Sequence, residues 1–246
     1  MMRCDLASPM EQFNIKPLVP LEIGGIDISF TNSSLFMVIA VVCAVLFLAL
    51  SMRKASVIPG TAQSLAEMTY EFVGGIIQEN IGAEGKKYFP LIFSIFIFVA
   101  FGNVLGLFPY SFTFTSHVSA VGTIALLALT INVIVGIKMH GLGWLHTFCP
   151  KGSPLIAMPI LIPIEMFSFL SNPFSLTVRL VANMTVGHIM LKVIAGFVVM
   201  LGLAGGILPL FFDCLIIAFE LGIGLLQAYI FTILSCVYLG DALHEH

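Results

Sequence analysis

Residues 163–192, PIEMFSFLSNPFSLTVRLVANMTVGHIMLK, decide how this chain must be read. The stretch is long and apolar enough to sit in a bilayer, yet it carries Glu165, Arg179, His188 and Lys192. Glu165, Ser168, Asn172, Ser175, Arg179 and Asn183 recur at steps of three and four residues. That rhythm lines one face of an α-helix, while Phe, Leu, Val and Met fill the others. A polar, charged seam on a greasy helix is what the remaining sequence has to explain.

Working outward, the whole chain has the same character. Of 246 residues, 59% are apolar and only 9% charged, and the mean hydropathy is +1.08. Soluble domains carry roughly 25% charged residues, so this composition excludes an ordinary soluble protein. The net charge of −3 gives no basic surface for nucleic acid, and none is expected as a partner. The N-terminal stretch lacks an apolar run ending at a small-residue cleavage site, and is read as mature sequence. Five cysteines, Cys4, Cys43, Cys149, Cys214 and Cys236, are odd in number and widely spaced. They read as small buried hydrophobes, with neither a disulfide framework nor a metal site, and no cofactor is implied.

The expected fold is all-α, a polytopic membrane protein of a single transmembrane domain over 1–246. Residues 1–34 read as an extended outer-side segment, and 35–52 as the first crossing. Segment 61–81 alternates Glu67, Glu71 and Gln78 with Leu65, Met68, Phe72 and Ile76, the pattern of an amphipathic surface helix. Segments 88–108 and 118–137 are two further crossings. Beyond the loop holding Lys138, His140, His146 and Lys151, apolar character hardly breaks until Leu239 except at Gly202–Gly206. The spacing predicts a hairpin of two long arms, 155–201 and 207–239. An unbroken first arm would run roughly 70 Å at 1.5 Å per residue, so it must tilt or bend in a hydrocarbon core of about 30 Å. Arg53, Lys54, Lys86, Lys87, Lys138 and Lys151 cluster in alternate connections. By the positive-inside rule this gives five crossings with the N-terminus outside and the C-terminus inside.

Charges inside such arms are costly, about 2.5–3.5 kcal/mol each at mid-bilayer on insertion scales, so they imply function. On the second arm Asp213, Glu220 and Gln227 are spaced by seven and share a face. The polar stripes of the two arms should face each other, water or a partner. Arg179 stays protonated and cannot relay protons. It can hold a fixed positive charge that attracts a carboxylate and repels a passing cation. His188 and Glu220 have ordinary pKa values within reach of neutral pH and are the better relay candidates. His188 lies nine residues beyond Arg179, which is half a turn around the helix, so it faces elsewhere.

On these residues a family resemblance emerges. The run Ser175–His188, SLTVRLVANMTVGH, and the run Leu225–Leu239, LLQAYIFTILSCVYL, resemble the a subunit of the F-type ATP synthase membrane sector. Pro59-Gly60 with Glu67 and Glu71, Asn103 with Gly106–Pro109, and Glu165 with Ser168 and Ser171 fit the same family in order and spacing. The resemblance implies a non-catalytic stator subunit that conducts protons beside a rotating c-subunit ring. Arg179 would be the essential arginine separating two aqueous half-channels, with Asn183 and Gln227 near it. His188 and Glu220 would line the outer half-channel, Asp213 its entrance, and Glu165, Ser168 and Ser175 the inner one. It further implies b-type peripheral stalk subunits, indirect coupling to the F1 sector, and a lipid bilayer as surroundings. The expected location is a bacterial inner membrane, with a mitochondrial one as the alternative.

Two other classes compete. A stand-alone proton/cation antiporter also uses buried charges, but such folds show internal repeats, and none relates residues 35–137 to 155–239. An intramembrane hydrolase needs a nucleophile beside a base, and no histidine shares the face of the serines near Glu165.

Overall fold

The structure is a computed structural model, and it describes residues 14–20, 22–23, 26–27, 29–53, 55–108, 111–141 and 158–243. Several positions used above lie outside these residues: Cys4, Lys54, Pro109, His146, Cys149, Lys151, 155–157 and the last three residues. The chain runs β1 (Pro17–Val19), β2 (Glu22–Ile23), β3 (Ile26–Asp27), β4 (Phe30–Thr31), then six helices. These are α1 (Asn32–Met52), α2 (Thr61–Asn80), α3 (Phe89–Gly106), α4 (Val118–His140), α5 (Met158–Gly205) and α6 (Ile207–Leu243). Among the described residues, five helical stretches are long and apolar enough to cross a membrane, as expected for an all-α polytopic protein.

The leading segment is not simply extended. Its four short strands pair antiparallel, β1 with β4 and β2 with β3. The Asn32 side chain ties it down, accepting from the Lys16 N–H at 3.1 Å and donating to the Asn14 carbonyl at 3.1 Å. Thr31 then caps α1, its hydroxyl accepting from the Ser34 N–H, which satisfies one of the orphan donors of the first turn. Helix α1 buries little besides Ser33, Ala40 and Ala44 and stands at the edge of the bundle.

Helix α2 matches the amphipathic segment. Its Gln63, Ala66, Val73, Ile76 and Ile77 are buried against the bundle, while Glu71 and Gln78 are exposed. Gln63 also fixes the preceding turn, exchanging hydrogen bonds with the Ser56 backbone and donating to Glu67 at 2.7 Å. The stretch expected as a loop before the second crossing contains a 3-10 helix, Ala83–Tyr88. Gly85 packs there so closely on Ile77 that a Cβ would collide with it.

Helix α6 is the centre of the bundle, packing on α3, α4 and α5. The core at these crossings includes Ile92, Val99, Val121, Leu180, Met184, Ala228 and Leu239. Pro173 sits inside α5 and has no N–H to give the Phe169 carbonyl one turn earlier. The Tyr238 hydroxyl of α6 approaches that carbonyl at 3.4 Å, and the two rings meet edge-on at 4.9 Å. Gly202, with φ of 65°, breaks the helical path where the hairpin was predicted to turn. Up to that break α5 would still run roughly 65 Å, more than twice the hydrocarbon core, so it cannot stand upright in a bilayer.

One expectation is corrected. Of the described cysteines only Cys236 is buried; Cys43 is half-buried and Cys214 exposed. In a membrane protein the outer surface meets lipid, so a small apolar residue there loses nothing by exposure.

Candidate functional site

The hairpin brings α5 and α6 side by side, antiparallel, and their polar residues meet at two levels. Toward the turn, His188 Nε2 of α5 lies 3.9 Å from Glu220 Oε1 of α6. Toward the far end, Asn172 of α5 hydrogen-bonds Tyr238 of α6, and Glu165 is close enough to Asp241 for their charges to interact. All three pairs keep one antiparallel register, and Arg179 falls about midway between the two levels. Polar groups of the two arms therefore meet at both ends, although most of the Glu165–Asn183 stripe stays exposed.

The level toward the turn is closed in. His188 is 9% exposed, Glu220 4%, Gln227 2% and Asn103 of α3 1%. The Asn103 amide donates to the Gly224 carbonyl at 2.9 Å, and a Cβ on Gly224 would press on Asn103 at 3.0 Å and Met184 at 3.2 Å. A larger residue here would need Asn103 or Met184 to give way, so glycine eases the close approach of α3 and α6. Gly187 is tighter still, because a Cβ there would run into the Glu220 carboxyl group. Both Glu220 oxygens, Gln227 Oε1 and Asp213 Oδ1 are buried without a hydrogen-bond partner. Buried polar atoms are nearly always satisfied, and these exceptions fall along one face of α6. Asp213 is half-buried on the same face of α6, seven residues before Glu220.

The connection between α3 and α4 completes this level. Thr113, buried, places its hydroxyl 2.9 Å from His188 Nε2 and 3.2 Å from the Gly106 carbonyl. Four residues on, the His117 ring stacks on Phe112 at 5.2 Å, and burial pushes its imidazole below the usual histidine range.

Arg179 behaves differently. It is exposed on the outer side of α5, together with Glu165, Ser168, Asn172 and Ser175, amid exposed Phe167, Phe174 and Val178. Asn183, one turn beyond Arg179, is half-buried, whereas Gln227 is deep in the bundle. Lys192 is half-buried and shares the face of His188. Inside the hairpin the space between the two polar levels is filled by Leu176, Leu180 and Met184 of α5 with Ala228 and Phe231 of α6, all buried. Beside the inner level a cavity of about 20 Å³, lined in part by Asn132, Ser235 and Tyr238, has room for about one water. Among the described residues no three His, Cys, Asp or Glu side chains group as a metal site would require.

Thr113, Gly187 and Asp241 were not picked out from the sequence. Thr113 sits in a short uncharged connection with no periodicity to betray it. Asp241 did carry a signal: it continues the steps of seven from Asp213 through Glu220 and Gln227, skipping one position.

The comparisons with known proteins agree with each other. Residues 34–240 match the family described as ATP synthase A chain. ATP synthase subunit a of Paramagnetospirillum magneticum is 53% identical over 98% of this chain and 100% of its own length. The proteins of the same name from Rhodospirillum rubrum and Mesorhizobium japonicum are 52% and 51% identical. The alignments cover 97% and 99% of this chain, and 99% of each relative.

Proposed function

Because this chain belongs to the ATP synthase A chain family, we propose that it is the stationary ion-conducting subunit of the synthase's membrane sector, coupling proton flow to rotation of a c-subunit ring. The observation that carries this reading is the split of polar groups on the α5–α6 hairpin. Two polar levels are separated by close-packed apolar side chains, and one guanidinium faces outward between them. A cation on an outward face surrounded by phenylalanines is costly in lipid, so that face needs a partner with a complementary charge. A ring of carboxylates supplies it.

The mechanism follows from charge and solvation. A proton enters from the outer side past Asp213, reaches Glu220 and His188, and neutralises a ring carboxylate near Asn183 and Gln227. The neutral carboxyl group can then move through lipid, where the ionised form would be prohibitively costly. After nearly a full turn it meets the inner seam of Glu165, Ser168 and Ser175, loses its proton, and is drawn to Arg179. Because Arg179 never deprotonates, it blocks a direct leak and protons cross only with rotation. Each charge moved contributes about 2.3 kcal/mol per 100 mV. The chain acts as a multi-pass protein of a bacterial inner membrane, with its N-terminus outside and its C-terminus inside. A b-type stalk holds it against the ring, and it makes no nucleotide contact. The stand-alone antiporter gains no support from the family match.

The test is ATP-driven proton uptake by inverted membrane vesicles carrying the intact complex. Arg179→Ala is expected to abolish uptake while ATP hydrolysis by the soluble sector continues. Uptake at the normal rate would overturn the assignment.

A further inference from the structure

We propose that Thr113 is a positioning residue for His188, its hydroxyl keeping the imidazole Nε2 hydrogen-bonded in both protonation states and held beside Glu220. The inference rests on reading His188 and Glu220 as the outer relay.

The geometry gives the Thr113 proton two acceptors. One is the Gly106 carbonyl at 3.2 Å and the other is His188 Nε2 at 2.9 Å. When Nε2 carries a proton, it donates to the Thr113 oxygen, and the hydroxyl turns its own proton to Gly106. When Nε2 is bare, the hydroxyl swings back and donates to it. The Ser111 hydroxyl stands 3.0 Å from the Gly106 carbonyl and 2.7 Å from that of Phe108, and its one proton can turn to either when Thr113 turns away. A hydroxyl that both donates and accepts is the smallest group able to do this. The switch needs one bond rotation and no rearrangement of the packed loop.

Location supports the role. Thr113 is buried at the junction where the α3–α4 connection meets α5. A polar side chain there would be costly without a partner that uses it. Glu220 reaches the same ring nitrogen from α6 at 3.9 Å. Thr113 thus holds Nε2 by a hydrogen bond while the Glu220 carboxyl group stands near the same nitrogen. Glu220 of α6 lies 3.9 Å from His188 Nε2, and Lys192 of its own helix acts on it by charge. Asp213 on α6 and His117 at the start of α4 are further titratable groups on the packed elements. From α3 the neighbour is the neutral Asn103, and Arg179 lies on the opposite face of α5.

The experiment measures ATP-driven proton uptake by inverted vesicles across a pH series, for the intact complex carrying Thr113→Val or Thr113→Ser. Valine matches threonine in shape but has no hydroxyl, so the ring is expected to stay bound on a native gel. Thr113→Ala gives the same reading with a smaller side chain, should valine prevent assembly. Without the hydroxyl, uptake is expected to fall roughly three- to tenfold, as for loss of one buried hydrogen bond. The pH profile is expected to move by about half a unit to one unit. Thr113→Ser is expected to restore both. A hydroxyl-free variant with the wild-type profile would overturn the inference. So would serine and valine variants that are equally slow with an unshifted profile, since that describes packing alone. Arg179→Ala in the same vesicles keeps the two claims apart: if it pumps normally the channel reading falls, and if it is inactive only the Thr113 claim is at stake.

Discussion

Arg179 and His188 lie on one helix, nine residues apart, yet they inhabit opposite surroundings. Arg179 is exposed on the outer face of α5 among phenylalanines, while His188 is buried between α6 and the α3–α4 connection. In a soluble protein the exposed charge would be the ordinary case and the buried imidazole the puzzle. In a bilayer the order reverses, because an outward face meets hydrocarbon instead of water. The inward cluster finds its neighbours within the chain: Thr113, Glu220 and the close backbone of Gly187. On the exposed face Glu165 and Asn172 still reach Asp241 and Tyr238 of α6, while Arg179 points outward, where the proposed ring would meet it. One face is therefore finished by this chain's own folding, and on the proposed reading the other is finished by assembly.

After Arg179→Ala, which is expected to stop coupled uptake altogether, the comparison breaks most sharply at glycines of α5. Gly187→Leu drives a side chain into the place of the Glu220 carboxyl group. It is expected to remove most proton uptake and to weaken retention of the ring on a native gel. Gly196, on the same helix, has nothing within 4 Å of the point where a methyl group would stand. Gly196→Ala is therefore expected to assemble as well as wild type, or slightly better given the helix propensity of alanine. Equal tolerance at both positions would show that the inner face is looser than its contacts imply.

A smaller effect separates relay from scaffold. Glu220→Gln and His188→Leu keep most of the local volume but remove a titratable group. Each is expected to slow uptake at limiting proton concentration by roughly tenfold or more, with the ring still bound. Unaltered uptake at limiting proton concentration would exclude these residues from the path. The mildest change tests the outer stripe. Ser168→Cys and Ser175→Cys lie on the exposed face and are expected to leave pumping nearly intact while reacting with water-soluble thiol reagents applied from the inner side. If both remain inert, the inner seam is dry and the reading of Glu165, Ser168 and Ser175 as a proton exit fails.

Much of this was legible in the residues. The apolar runs gave the five crossings, and the position of α2 followed from the alternation of Glu67, Glu71 and Gln78 with large hydrophobes. The turn of the hairpin was marked by Gly202–Gly206, and the separation of His188 from Arg179 by half a turn followed from helical geometry. The contributions of the α3–α4 connection were not legible. Thr113 carries no pattern in a loop without charge or periodicity, and only packing places it at hydrogen-bond distance from His188. The four short strands before α1 were also missed, because two-residue pairings are too brief to leave an alternating signature.

What the sequence determined by itself is where charge had to be sheltered. Steps of three, four and seven residues fix which side chains share a helical face, since that depends only on the pitch of the helix. What the tertiary structure alone decided is which faces meet. The register of α5 against α6 pairs His188 with Glu220 and Asn172 with Tyr238, and leaves Arg179 outside. That choice depends on the fit of Gly187 and Gly224 against their neighbours, and close packing is a property of two surfaces together that neither sequence segment states alone.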